Sequence, residues 1–223
     1  MGIAQPSGFK VHNVQGDRKG RIFVVSGPSG VGKGTVIKNV IARTERLALS
    51  ISATTRDPRP GDVAGETYHF LSEEQFEQGI EDGIFYEYAP YKHKLYGTLK
   101  ETVEKQTAAG MDLVLEIDIQ GARSVKRLAP NAVLIYMQPP DFETLESRLR
   151  GRGTETEESI QERLAAAVEE QMSIDTDYCG HYVITNDIVE KCADTLYAIV
   201  RAERQRLQCT NAPHSAASKD EPI

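Results

Sequence analysis

The apolar positions of this chain fall into two rhythms that alternate along its length. Short continuous runs, residues 22–25 (Ile-Phe-Val-Val), 112–117, 132–137 and 182–185, have the length and composition of strands buried on both faces. Between them lie stretches whose apolar residues recur every three or four positions, as on one face of a helix. These are residues 32–43, with Val36, Ile37, Val40 and Ile41 in register, and then 120–128, 141–149, 158–172 and 188–207. Strands alternating with helices predict an α/β fold in which helices cover both faces of a parallel sheet.

Residues 52–98 break that rhythm. An apolar segment, 47–51, leads into SATTRDPRPGD (52–62), where prolines and a glycine predict no regular element. A short strand at 68–71 follows, then a helix opened by the capping box Ser72-Glu73-Glu74-Gln75, then strands at 84–88 and around Tyr96. The segment reads as a small α+β insertion in a core made of residues 20–51 and 99–207. Thr98 and Glu101 form a second capping box, opening a helix that Gly110 closes. Residues 150–159, polar and punctuated by glycine, read as a flap, the centre of a lid spanning about 148–163. Residues 1–19 read as a loosely held arm, 208–223 as a disordered polar tail.

The stretch from Gly27 to Thr35, GPSGVGKGT, sits directly between the first strand and the first helix. In that setting it matches the phosphate-binding loop G-x-x-x-x-G-K. Gly27, Pro28, Ser29, Gly30, Val31, Gly32, Lys33, Gly34 and Thr35 would curl the backbone so that successive N–H groups face one phosphate. Lys33 adds a charge at the β- and γ-phosphates, and the helix dipole favours the same anion. A nucleoside triphosphate carrying Mg²⁺ is the expected occupant. The position after the lysine, which usually offers a hydroxyl to the metal, is Gly34. Either Thr35 serves instead or the metal keeps more of its waters.

Charge narrows the function classes. The 223 residues carry a net charge of -7 with a pI near 5.3, which argues against a nucleic-acid protein. No apolar run approaches the length of a membrane span, and the first residues lack the apolar core of a signal peptide, so a cytoplasmic location is expected. Cys179, Cys192 and Cys209 are odd in number and lack metal-ligand spacing, so they read as reduced and structural.

Phosphate chemistry must then use local arginines. Arg56 and Arg59 lie three apart on a proline-stiffened loop, where two guanidinium forks can meet one anion or simply face solvent. Arg148, Arg150, Arg152 and Arg163 bracket the flap and suit a transferring phosphoryl group, although Glu155, Glu157, Glu158 and Glu162 offer them surface partners. Glu116 and Asp118 end an apolar strand, where they can hold the waters of Mg²⁺ or do structural work such as capping the next helix. Asn186-Asp187 most simply caps the last helix. No side chain has the setting of an activated nucleophile. A phosphate acceptor needs none, because its attacking oxygen is already ionised near neutral pH.

GPSGVGKGT, SATTRDPRPGD, FYEY followed by YGT, LEIDIQGA and RLRGRGTE, in that order, resemble the guanylate kinase family, whose members move the γ-phosphate of ATP to GMP. The resemblance covers about residues 21–206. It implies a P-loop NTPase core with a GMP-binding insertion and a lid. It implies GMP held by Ser52, Arg56, Arg59 and Tyr68, its phosphate among Arg56, Arg59, Tyr68 and Tyr96, and its guanine edge read by Glu87 and Thr98. Arg148, Arg152 and Arg163 would meet the transferring phosphate, Lys33 the ATP phosphates, and Asp118 the region of metal and GMP, with Glu116 beside it. Gly34, Glu116 and Leu95 depart from the commonest family pattern, which has a hydroxyl residue, Asp and Tyr there. A kinase of the same scaffold acting on another phosphorylated acceptor, such as a ribose bisphosphate, and a non-catalytic binding module are the alternatives. Glu87 with Thr98 favours guanine over the first, and the intact loop and lid arginines favour catalysis over the second.

Overall fold

The computed structural model describes residues 18–91, 93–151, 156–178 and 180–206. In chain order the elements are β1 (Ile22–Ser26), α1 (Lys33–Ala42), β2 (Leu47–Leu49), β3 (Ser52–Thr54), β4 (His69–Phe70), α2 (Glu73–Glu81), β5 (Phe85–Tyr91) and β6 (Lys94–Leu99). They continue as α3 (Lys100–Ala108), β7 (Asp112–Glu116), α4 (Ile119–Leu128), β8 (Val133–Gln138), α5 (Phe142–Arg150), α6 (Glu157–Asp177), β9 (Tyr182–Thr185) and α7 (Val189–Gln205).

The larger sheet is wholly parallel, in the order β2-β7-β1-β8-β9. Side chains alternate along β1 and so feed two cores. Phe23 and Val25 pack with Val36, Ile37 and Val40 of α1 and Cys192, Leu196 and Val200 of α7. Val24 packs the other way, with Val103 of α3, Ile119, Ala122 and Val125 of α4, and Ile174 near the end of α6. Burial on both faces is why these strands read as unbroken apolar runs. This is the P-loop NTPase fold, with helices on both faces of a parallel sheet.

A second, four-stranded sheet, β4-β3-β6-β5, is built from the middle of the chain. Stacked Phe76 and Phe85 rings, 4.2 Å apart, seat α2 against it. β5 packs on α4, which brings this sheet to the carboxyl end of the larger one. α5 and the first half of α6 share a separate small core of Leu145, Leu149, Ile160, Leu164 and Ala167.

Several expectations are corrected. Ser52–Thr54, placed in an irregular loop, is strand β3, since the first proline comes only at Pro58 and leaves its ladder to β6 intact. Thr98 and Glu101 form no capping box. α3 starts at Lys100 after Leu99 with no side-chain cap, and the Thr98 hydroxyl is engaged by Glu87 instead. The last helix is not capped by Asn186 or Asp187: its N-cap is Ile188, and Asn186 turns inward. The ends of the expected flap are helical, since α5 runs to Arg150 and α6 begins at Glu157, while 152–155 lie outside the described residues. The α6 helix also continues to Asp177, five residues beyond the expected end. Arg152, Cys179 and Cys209 lie outside the described residues, whereas Cys192 is a buried free thiol. Arg18, assigned to the arm, is fixed: both its Nη atoms donate to buried Asp112 at 2.7 Å. No helix among the described residues is long and apolar enough to cross a membrane.

Candidate active site

A cleft of about 420 Å³ opens at the carboxyl end of the parallel sheet, between the two sheets and α6. That end is where an open α/β sheet leaves room for a ligand. One wall is the turn after β1. Gly27 adopts φ 140, and a Cβ there would lie 2.0 Å from the Met137 carbonyl oxygen. Gly32, the N-cap of α1, adopts φ 98, and its Cβ would lie 2.6 Å from Asn186 Nδ2. No other residue fits either place.

The turn is braced from outside. Buried Asn186 donates Nδ2 to the Val31 carbonyl at 2.7 Å, and Arg148 donates Nη1 to the Asn186 carbonyl at 2.8 Å and Nη2 to that of Asp187 at 3.2 Å. α1 has no side-chain cap, unlike α2, α4, α5 and α6, and no acidic residue in its first turn. Its first N–H groups and dipole are therefore open to an anion entering the cleft. Lys33 folds back along the loop, donating Nζ to the Gly27 carbonyl at 2.6 Å and to that of Pro28 at 3.2 Å.

The opposite wall comes from the smaller sheet. Arg56 donates Nη2 to Asp62 Oδ2 at 2.8 Å and lies 5.2 Å over the Tyr68 ring. The same Asp62 oxygen accepts the Arg59 amide at 2.7 Å, and these bonds hold the Asp62 carboxyl below its ordinary value. Asp62 thus fixes both ends of the arginine loop. The Arg59 guanidinium is exposed at the cleft and makes no side-chain hydrogen bond or ion pair among the described residues. Tyr68, Tyr91 and Tyr96 form edge-on contacts around this corner, with Tyr96 6.1 Å from Tyr68 and 6.3 Å from Tyr91.

Glu87 is buried, and its Oε1 accepts the Thr98 hydroxyl at 2.7 Å from the directly paired strand β6. Burial pushes its carboxyl up to about 7, only partly offset by the Thr98 hydroxyl, while nearby Asp118 pushes the same way. Its other oxygen faces Gly121.

Between the walls stand Glu116 and Asp118. Asp118 caps α4, accepting the Gly121 amide at 2.8 Å, and burial raises its carboxyl despite the backbone amides and Lys33. Both carboxylates line the cleft beside the loop. An all-oxygen donor set of this size fits Mg²⁺, which keeps several waters and takes further ligands from phosphates. Among the described residues no three His, Cys, Asp or Glu side chains gather as a metal cage.

Gly27, Ser29, Gly30, Gly32, Lys33, Gly34, Thr35, Ser52, Arg56, Arg59, Tyr68, Glu87, Tyr96, Glu116, Asp118 and Arg163 all line the cleft. Pro28, Val31, Thr98 and Arg148 do not: Pro28 and Thr98 bond to Lys33 and Glu87, which do, whereas Val31 and Arg148 bond to Asn186 behind the turn. Arg163, on α6, donates to the Ser29 hydroxyl. Arg150 instead faces solvent, bound to Glu146 at 2.8 Å and Glu157 at 2.5 Å. Tyr91 and Glu170, absent from the sequence expectations, also line the cleft. Period-two spacing from Glu87 through Ala89 reaches Tyr91, and two helical turns from Arg163 reach Glu170. Glu170 is buried enough that its carboxyl is raised, Lys33 opposing the effect.

The family model for guanylate kinase matches residues 19–203. A curated guanylate kinase of Rubrobacter xylanophilus is 46% identical over 184 residues, covering 82% of this chain and 95% of the relative. One of Thermus thermophilus is 46% identical over 188 residues, covering 84% of each. A crystal structure of guanylate kinase from Anaplasma phagocytophilum superimposes with a TM-score of 0.71 at 30% identity, covering 85% of this chain and 89% of that one.

Proposed function

Taking as premise that this chain belongs to the guanylate kinase family and is a nucleoside monophosphate kinase acting on GMP, we propose that its cleft receives Mg²⁺-bound ATP on residues 27–35 and GMP on the smaller sheet. The observation that carries this reading is one cleft with a backbone anion cradle on one wall and two arginines, tyrosines and a buried carboxylate on the other.

In this reading Arg56, Arg59, Tyr68 and Tyr96 hold the GMP phosphate, with Ser52 at the edge of the pocket. Guanine offers N1–H and N2–H₂ donors to ionised Glu87, which the Thr98 hydroxyl orients. Adenine presents no such pair, and a buried carboxylate left unpaired is strongly rejected. The GMP oxygen attacks the γ-phosphorus in line, so the protein supplies position and positive charge rather than a nucleophile. Lys33 and Arg163 line the cleft to meet the charge that develops on the transferring group. Lid closure over residues 148–163 adds Arg152 and Arg148, the latter after leaving the carbonyls of Asn186 and Asp187. Mg²⁺, held by Glu116 and Asp118 through water, would neutralise charge on the donor phosphates. In this reading the cytoplasm is the place of work.

The test is a coupled assay of ADP release with ATP and Mg²⁺, offering GMP, AMP, UMP, CMP and a ribose bisphosphate separately. Fast turnover with GMP alone is expected. Equal turnover with another acceptor would overturn the guanine pocket, and GMP binding without turnover would overturn catalysis.

A further inference from the structure

Tyr91 reaches from one wall of the cleft to the other. It ends β5, opposite Lys94 at the tip of the hairpin, and like Glu87 and Ala89 on the same strand it lines the cleft. On the acceptor side its ring stands edge-on to Tyr96, 6.3 Å between centroids. Its hydroxyl lies on the donor side. Burial raises the Tyr91 phenol and Glu170 adds to this, whereas the Arg163 charge and a hydrogen bond from the Ser29 hydroxyl oppose it.

Three parts of the molecule meet at Ser29. It belongs to the phosphate loop, Arg163 of α6 donates Nη1 to its Oγ, and Tyr91 of β5 stands against it. An arginine side chain can only donate, so Ser29 accepts from Arg163 and its own proton is left for the Tyr91 oxygen. The chain from guanidinium to serine to phenol therefore orients each group in turn. We propose that Tyr91 is a positioning residue for phosphoryl transfer: acting through Ser29, it holds the Arg163 guanidinium at the donor loop. A long side chain gives up rotamer freedom when it is fixed, and fixing it before the reaction removes that cost from the transfer step. Tyr91 is carried by the acceptor sheet, so the placing of Arg163 is tied to the placing of that sheet against the loop.

The inference rests on the GMP kinase reading, and the rate of a single turnover separates the two. With the full chain in excess over GMP, and ATP and Mg²⁺ saturating, rapid quenching reads phosphoryl transfer free of product release. Tyr91→Phe keeps the ring on Tyr96 and removes only the hydroxyl. It should slow transfer about three- to tenfold, the size expected of one lost hydrogen bond, with steady-state KM for GMP and for ATP within about twofold of the wild type. Ser29→Ala should slow transfer at least as much. Adding Tyr91→Phe to Ser29→Ala, or to Arg163→Ala, should slow it no further, because the phenol acts through both. An unchanged transfer rate in Tyr91→Phe overturns the inference. So does a rise in KM for GMP at constant rate, which would put the phenol on the substrate itself, and so does a further loss in the Ser29→Ala or Arg163→Ala background. Each of these leaves the GMP reading standing, whereas a wild type that transfers nothing to GMP sinks both.

Discussion

The two walls of the cleft are made in opposite ways. The proposed donor wall is one contiguous stretch, residues 27–35, whose backbone N–H groups would do the binding and whose glycines are demanded by contacts with Met137 and Asn186. The acceptor wall is collected from β3, the loop after it, β5 and β6, and it works through side chains: Arg56, Arg59, Tyr68, Tyr96 and Glu87. Backbone amides and a helix dipole recognise phosphate but cannot tell one nucleotide from another. Side chains fixed by cross-strand partners can, and so in the proposed reading substrate choice resides where the fold spent more parts.

The sharpest break between the walls is Lys33→Ala. Loss of a cation aimed at the transferring group should lower kcat about a hundred- to a thousandfold while KM for GMP hardly moves. Its Nζ donates to the loop carbonyls of Gly27 and Pro28, and the thermal midpoint should change little. A matching rise in KM for GMP would erase the division of labour.

Glu87→Ala attacks the other wall. Discrimination between GMP and AMP, as the ratio of kcat/KM values, should fall at least about a hundredfold, with KM for ATP unchanged. Full discrimination in the variant would move base recognition elsewhere. Asp62→Ala is a milder version of the same cut, since it frees the Arg56 side chain and the Arg59 amide at once. Losing charge-assisted bonds of this kind should raise KM for GMP about tenfold without affecting ATP.

The walls should also differ in pH response. Glu87 titrates at about 7 in the free protein, and only its ionised form accepts the guanine donors. GMP affinity should therefore rise by several fold as pH passes upward through about 7, an inflection absent from Glu87→Gln and from ATP binding. For the free protein the sign reverses. A carboxyl raised from 4.5 contributes stability that is complete below 4.5 and lost as pH climbs through about 7. Thermal melts of the wild type and Glu87→Gln across that window would show it. The smallest effect belongs to Arg150→Ala, whose side chain meets Glu146 and Glu157 at the surface among the described residues, so steady-state rates should be unchanged.

How much of this was legible follows the same division. The parallel core could be read because burial on both faces writes itself as apolar runs, and the phosphate loop because backbone geometry demands glycines at fixed spacing. Local signals misled where a tertiary partner competed. The Thr98 hydroxyl fits a capping box by sequence, yet the strand pairing Glu87 with Thr98 gives it to a buried carboxylate. Asn186 sits where a helix cap belongs, yet the crowded glycine turn claims its side chain.

The amino-acid order thus fixed what depends on neighbours along the chain: alternation, turn chemistry, the donor loop and, through its motifs, the family. The three-dimensional packing settled what depends on neighbours across it. It fixed which arginines face the cleft, since Arg163 reaches Ser29 while Arg150 stays on the surface. It brought Tyr91 and Glu170 to the same cleft and pointed Gly34 at Glu116. The Arg163–Ser29 and Gly34–Glu116 pairs join residues 134 and 82 positions apart, and contacts at such separations leave no local periodicity to read.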